Sequence, residues 1–256
     1  MRGLDLGLGL TPRGLLSGGG VLPQTSTYSD QQAIAAPHAS LFPGGAATDF
    51  SFGAWFKIIE RLDQYVTFFC MQKTSNIGEN GSYFWFGYDS AAGGGSRGLA
   101  VYGNNGTHSY DLLPATGTWF HASVTKQGNT VRAYLNGILC DWDGAAPDTN
   151  FTADIGNAAY DEINRATIAR ELDVGDGDKT RIAVRAAWFT EGRLLDAQIA
   201  AIMQYSDPWN YDFGARTFAW PLVGGNLSGR DPNGAASNLT GTVSSHASSP
   251  AGIILP

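Results

Sequence analysis

The segment WFHASVTKQGNTVRAYLNG, Trp119 to Gly137, constrains the fold more than any other because its side chains alternate with a period of two. Phe120, Ala122 and Val124 share one face and His121, Ser123 and Thr125 the other, the pattern of a half-buried strand. After Gly128-Asn129 the pattern resumes, with Val131, Ala133 and Leu135 opposite Thr130, Arg132 and Tyr134. Glycine and asparagine tolerate positive φ, so Gly128-Asn129 predicts a tight hairpin. Asn136-Gly137 predicts a second one, returning through Ile138, Leu139 and Cys140. The whole reads as a three-strand antiparallel meander.

Further strands are predicted at FSFGAWFKI (50–58), YVTFFCMQK (65–73), YFWFGYD (83–89), RGLAVYG (97–103), ATIARE (166–171) and TRIAVRAAWF (180–189). Their regular spacing and turn-rich connections fit a sandwich rather than alternating β and α units. One short helix is predicted in DAQIAAIMQYS, where Ile199, Ile202 and Met203 form a stripe that contacts the core, and Asp207-Pro208 would end it. Low charge (15%), 43% hydrophobic residues and 34 glycines agree with an all-β globule. At 256 residues the chain buries enough surface to fold without disulfides or metals. Cys70 and Cys140 are the only cysteines and read as two buried thiols rather than a bridge.

The net charge of −7 and the lack of a Lys/Arg cluster argue against nucleic acid as a partner. No apolar run approaches the ~20 residues of a membrane-spanning helix, so no membrane partner is expected. Asp5 and repeated glycine interrupt the start where a secretory signal needs an apolar core, so synthesis and folding in a cytoplasm are expected. Three zones follow: an arm at 1–27, a dense domain at 28–206, and a Gly/Asn/Ser-rich extension at 207–256. Within the arm Leu4, Leu6, Leu8 and Leu10 fall on one parity, an edge that would add to a sheet or pack on a neighbouring subunit. A frayed terminus is the alternative.

Several segments together resemble the laminin-G-like branch of the concanavalin A-like lectin/glucanase superfamily. They are DFSFGAWFKI (49–58), TWFHASVTKQGNTVRAYLNGIL (118–139) and AVRAAWFTEGRLLDAQIAAI (183–202), and the likeness spans roughly residues 28–205. The resemblance implies a two-sheet antiparallel jelly-roll sandwich with one short helix and extended terminal arms. In that family a Ser or Thr usually caps the helix, whereas Leu195 stands here, so Asp196 must help and the helix start should fray. The segment Thr217 to Thr242 resembles the strand that usually opens such a domain. A circular permutation would lay it beside QQAIAAP (31–37); a truncated second module or a tail gripping another subunit are the alternatives. LDLGLGLTPRGLL (4–16) and SDPWNYDF (206–213) resemble segments flanking such domains in tailed-bacteriophage virion proteins. That likeness implies a non-enzymatic virion component, in the capsid decoration or the tail, which forms a homo-oligomer and contacts other virion proteins.

The family hosts enzymes, lectins and structural modules, so function must come from residues. The paired carboxylates at alternate positions that glycosidases of the superfamily carry are not found: Asp161-Glu162 and Glu171 lack that alternation. His38, His108, His121 and His246 sit in no nucleophile context, and His121 reads as a hydrogen-bonded strand residue. An enzyme is therefore not expected. Recognition of a host glycan, the alternative function, would draw on Asn104, Asn105, His108, Tyr110, Trp142 and Tyr160, which combine aromatic faces with hydrogen-bonding groups. Trp55, Trp85, Trp119 and Trp188 are assigned to packing. Asp173, Asp176 and Asp178 gather three carboxylates with two glycines, oxygen ligands that suit Ca2+, although a solvated acidic turn has the same composition. Calcium titration separates the two. A bound ion raises the melting temperature of the parent and does nothing to Asp176→Ala/Asp178→Ala, while a plain turn leaves both unmoved.

Overall fold

The computed structural model describes residues 26–30, 33–36, 41, 49–61, 65–72, 83–89, 98–103, 106–110, 115–128, 130–140, 165–170, 180–211 and 217–250. Strands β1 (Ser26–Asp30), β3 (Phe50–Arg61), β8 (Trp119–Gln127), β9 (Thr130–Leu135), β10 (Ile138–Leu139), β12 (Thr180–Glu191), β13 (Phe218–Trp220) and β14 (Ser244–His246) form one sheet. Its order is β10-β9-β8-β3-β12-β1-β14, with β13 also on β12. Strands β2 (Ile34–Ala36), β4 (Tyr65–Gln72), β5 (Tyr83–Asp89), β6 (Gly98–Gly103), β7 (Gly106–Tyr110) and β11 (Arg165–Ile168) form the second, in the order β2-β11-β4-β5-β6-β7. Every pairing between these strands is antiparallel. The fold is the all-β, two-sheet jelly-roll sandwich that the resemblance implied.

The meander forms as predicted, with Gln127 opposite Thr130 and Leu135 opposite Ile138. Gly128 has φ 54°, and Asn136 and Gly137 have 51° and 77°, the left-handed values such short turns need. Phe120, Ala122, Val124, Val131 and Ala133 point into the space between the sheets. They meet Phe50, Phe52, Phe56 and Ile58 of β3, and Phe69, Met71, Phe84, Phe86 and Val101 of the facing sheet. Each fully buried side chain of this size contributes roughly 1.5–3 kcal/mol through removal from water.

Two of the three register shifts in the β3, β4 and β12 pairings override simple alternation. Phe68 is the extra residue between the pairs Thr67/Gly87 and Phe69/Phe86, which brings Phe68 and Phe69 both into the core. In β12 the register shifts between Arg185 and Trp188, and Ala186 adopts φ 51°. Ile182, Val184, Ala187 and Phe189 therefore face inward, while Trp188 is sent to the opposite face.

The segment after β12 closes the sandwich. β13 lengthens the line of β1 along β12, Arg230 bridges Ala219 and Ala236, and Thr240 exchanges two backbone hydrogen bonds with Ala35 of β2 at 2.7 and 3.0 Å. β14 then returns to pair with β1. The chain thus crosses from one sheet to the other and back, inserting Phe218, Trp220, Leu222 and Leu239 into the core. This places the segment beside Ile34–Ala36, within QQAIAAP. Residues 1–25 and 251–256 lie outside the described residues.

The outer face of the larger sheet is not the solvated face expected of a half-buried strand: His121, Ser123 and Thr125 are buried like their inward neighbours. A second core covers part of it. Helix α1 (Asp196–Ile202) lays Ile199 and Ile202 on Trp188, Tyr134 and Leu194. Gly53 makes room, since a Cβ there would stand 2.5 Å from the Trp188 ring. The helix stops before Asp207-Pro208, which instead open a 3-10 turn at Pro208–Asn210 with the Asp207 carboxylate accepting from the Trp209 N–H. Its start is tied rather than frayed, because Gln198 Oε1 accepts the Leu195 N–H at 2.8 Å. Asp196 serves the sheet instead, accepting from the Tyr134 hydroxyl at 2.8 Å and pairing with Arg132 at 3.4 Å. β11 ends earlier than the ATIARE run, where Ala169 takes φ 72°.

His121 corrects the sequence reading further. Its backbone N–H donates to Asn136 Oδ1, but neither ring nitrogen has a hydrogen-bond partner among the described residues. The ring lies parallel to Trp188 (centroids 6.4 Å apart) and edge-on to Trp55 (5.6 Å). Trp55 Nε1 donates to the Met203 carbonyl at 2.7 Å and so ties the sheet to the end of α1. Burial pushes the His121 pKa down to about 3. The unfolded chain binds this proton near pH 6.5 and the folded chain does not, so stability falls as pH drops from about 6.5 toward 3. The slope attributable to this group is at most about 1.4 kcal/mol per pH unit.

Two tests follow from these features. Urea unfolding of the parent and His121→Leu should show the parent losing stability faster between pH 6.5 and 4; equal slopes would refute a buried neutral imidazole. Ala186→Gly should raise stability by up to about 1 kcal/mol, because glycine takes φ 51° without the Cβ penalty, as thermal melting would register.

Candidate functional site

Most residues picked out by sequence lie outside the described residues. This holds for Leu4, Leu6, Leu8 and Leu10 of the arm, for Asp173, Asp176 and Asp178, and for Asn104, Asn105, Trp142 and Tyr160. The backbones of His108 and Tyr110 belong to β7, opposite Val101 and Leu99 respectively. Among the described residues no group of three His, Cys, Asp or Glu side chains is arranged to hold a metal ion. Cys70 and Cys140 are buried and form no disulfide. Of the tryptophans assigned to packing, Trp85 and Trp188 are fully buried, while Trp55 and Trp119 are half-buried.

A polar and aromatic cluster occupies the outer face of the six-stranded sheet, with Cys70, Trp85 and Ala100 buried and Tyr65 and Tyr102 partly exposed around them. Alternation along β5 sends Phe84, Phe86 and Tyr88 inward, leaving Trp85, Gly87 and Asp89 outward. Pairing then aligns Trp85 with Cys70 of β4 and Tyr102 of β6. Gly87 lets the Trp85 ring lie flat, for a Cβ there would come within 2.5 Å of that ring. Trp85 Nε1 donates to Thr67 Oγ1 at 2.8 Å, fixing the indole. Around it stand two half-buried tyrosines, Tyr102 edge-on at 4.9 Å and Tyr65 edge-on at 6.1 Å, themselves 6.2 Å apart. The Tyr102 hydroxyl donates to the buried Asp89 carboxylate. Below, Arg61 stacks over the Tyr88 ring at 4.2 Å and donates to its hydroxyl.

The chemistry on offer is recognition. Rigid aromatic rings present apolar faces at little entropic cost, and an oriented carboxylate accepts hydrogen bonds from hydroxyls. The sequence reading missed Tyr65, Thr67, Asp89 and Tyr102. Their signal was the outward parity of YFWFGYD combined with a glycine two residues past a tryptophan, but only strand register shows that the three rings meet.

A cleft elsewhere is a weaker candidate. Asp207, Leu222, Asn226, Ser228 and Arg230 line a cavity of about 180 Å3 beside β13. It is smaller than the roughly 300–1,000 Å3 typical of ligand sites. Its charges are also engaged internally, since Arg230 lies 3.9 Å from Asp207 and stacks over Trp209 at 5.0 Å.

Comparison with known proteins agrees with this architecture. No curated protein matches the sequence. Among solved structures, a Bacteroides ovatus protein described as a candidate carbohydrate binding protein aligns with TM-score 0.59 at 14% identity, covering 90% of this chain and 61% of that one. Trypanosoma rangeli sialidase aligns with TM-score 0.50 at 15% identity, covering 66% of this chain and 25% of that enzyme. At such identities the likeness is one of fold, and this chain spans only part of either protein's length. A family model described as the concanavalin A-like lectin/glucanases superfamily matches residues 28–167, more than half of the sequence, and the chain belongs to that laminin-G-like family.

Proposed function

We propose that the protein is a non-catalytic carbohydrate-binding module that recognises a glycan on the outer face of its six-stranded sheet. The observation that carries this reading is the ring cluster of Tyr65, Trp85 and Tyr102 with Asp89 beneath the Tyr102 hydroxyl. The partly exposed rings of Tyr65 and Tyr102, braced by the buried Trp85 and by Asp89, suit the C–H face of a sugar ring. Family membership and the fold shared with the Bacteroides ovatus protein support a lectin-like role. A non-catalytic role is supported by the absence from the sequence of alternating carboxylates at glycosidase spacing.

A place for this module in a bacteriophage particle, as a homo-oligomer held by its terminal arms, is a proposal carried by the flanking sequences 4–16 and 206–213. Calcium at Asp173, Asp176 and Asp178 is likewise proposed from sequence.

Glycan-array screening followed by calorimetric titration tests the main reading. Tyr102→Ala should weaken the best glycan about tenfold, equivalent to ~1.4 kcal/mol, with circular dichroism unchanged. An array without hits, or a Tyr102→Ala protein that binds as tightly as the parent, would remove this surface from consideration.

A further inference from the structure

A second constellation stands on the outer face of the larger sheet, away from the tyrosine surface. Strand register sets Trp119, Lys57, Ala183, Tyr28 and Ser244 side by side across β8, β3, β12, β1 and β14. Beyond β14 the chain turns back over this row, so that Ser248 meets side chains of β3 and β8, across β1 and β12. Its Oγ accepts from Lys57 Nζ at 3.4 Å and from Trp119 Nε1 at 3.2 Å. The same oxygen lies 3.1 Å from His246 Nδ1.

Hydrogen-bond valence decides what this cluster shows to solvent. The Ser248 backbone N–H donates to His246 Nδ1 at 3.3 Å, and a backbone N–H only donates. Nδ1 is therefore the acceptor nitrogen and the neutral ring carries its proton on Nε2. Ser248 Oγ has both lone pairs filled by Lys57 and Trp119, and its own proton shares the single Nδ1 lone pair with the backbone N–H in a three-centre bond. Acceptor capacity at the centre is used up. What is left over is donors: two N–H bonds of the Lys57 ammonium and the Nε2–H of His246. Although the chain carries a net charge of −7, among the described residues no carboxylate pairs with Lys57, whereas Arg132, Arg181 and Arg230 face Asp196, Glu60 and Asp207. Burial and the Lys57 charge both lower the His246 pKa, which agrees with a neutral ring beside an ammonium. Half-buried aromatic rings flank the donors, Trp119 on one side and Tyr28, 6.2 Å from the His246 ring, on the other.

We propose that Lys57, Trp119, His246 and Ser248 form a second binding site, which takes the carboxylate of an acidic sugar such as a uronate. The ammonium and the imidazole N–H meet the carboxylate, and Trp119 lies against the ring. Ser248 is a positioning residue that holds Lys57 and His246 at a common distance. A carboxylate is preferred over a hydroxyl because the Lys57 ammonium and the His246 N–H both donate and the ammonium supplies a charge.

Ligand-observed NMR titrations with glucuronic acid, glucose and inorganic sulfate test the site. Glucuronate should bind at least tenfold more tightly than either glucose or sulfate. Lys57→Met, which keeps the apolar stem, should lose at least tenfold in glucuronate affinity, while Tyr102→Ala leaves it unchanged and so separates this site from the tyrosine surface. If Lys57→Met melts early, glucuronate should still shift the Trp119 indole and His246 imidazole resonances of the parent. Absent glucuronate binding, equal affinity for glucose, or full affinity in a folded Lys57→Met would overturn the proposal. Sulfate binding as tight as glucuronate would overturn the assignment to a sugar.

Discussion

Face-to-face packing of phenylalanines between the sheets is the interaction on which the rest depends. Phe52 stacks on Phe69 at 4.2 Å and Phe56 on Phe68 at 4.6 Å, while Phe50 meets Phe84 edge-on at 5.1 Å. β3 thus grips β4 and β5 along its length. The grip needs two adjacent phenylalanines on one face of β4, which a regular strand cannot supply. The bulge at Phe68 supplies it, and in doing so fixes which residues of β4 look outward: Tyr65 and Thr67 before it, Cys70 after it. The tyrosine surface proposed for glycan is in this sense a by-product of core packing on the opposite face.

β12 solves the converse problem. The central strand of the larger sheet must feed a core on both sides, and the left-handed Ala186 switches its parity midway. Phe189 then stays with the phenylalanine core while Trp188 crosses over to receive α1. Gly53 on the neighbouring strand accommodates the indole, and His121 fills the space beside it without a hydrogen-bond partner for its ring among the described residues. An imidazole in such a place is tolerated because it is neutral; the same ring charged would face the full cost of desolvation.

The C-terminal segment links these elements to the proposed acidic-sugar site. By pairing with β12, bridging β2 and returning to β1, it covers the open side of the sandwich. The same return carries Ser248 to Lys57 and Trp119. Core closure and the donor cluster therefore share one piece of chain, and the site exists only when that segment is docked.

The amino-acid sequence by itself determined the architecture, because a two-residue period with glycine and asparagine turns leaves a hydrophobic chain little choice but stacked antiparallel sheets. It located β3 to β6, β8, β9 and β12 and the two buried thiols, all of which rest on local pattern. It did not show that His121, Ser123 and Thr125 are buried, since polarity at alternate positions looks the same whether water or a helix lies above. Nor did it reveal the short strands β1, β7 and β14, whose five, five and three residues carry too little periodicity. Register, the two bulges and the path of the final segment were decided only by tertiary structure, because each is set by which partner strand lies alongside. Both proposed sites are assembled from residues far apart in the chain: Tyr65 meets Trp85 and Tyr102, and Lys57 meets Ser248. Contacts of that kind leave no trace in local sequence, which is why the candidates chosen from loops and those built by the sheets are different residues.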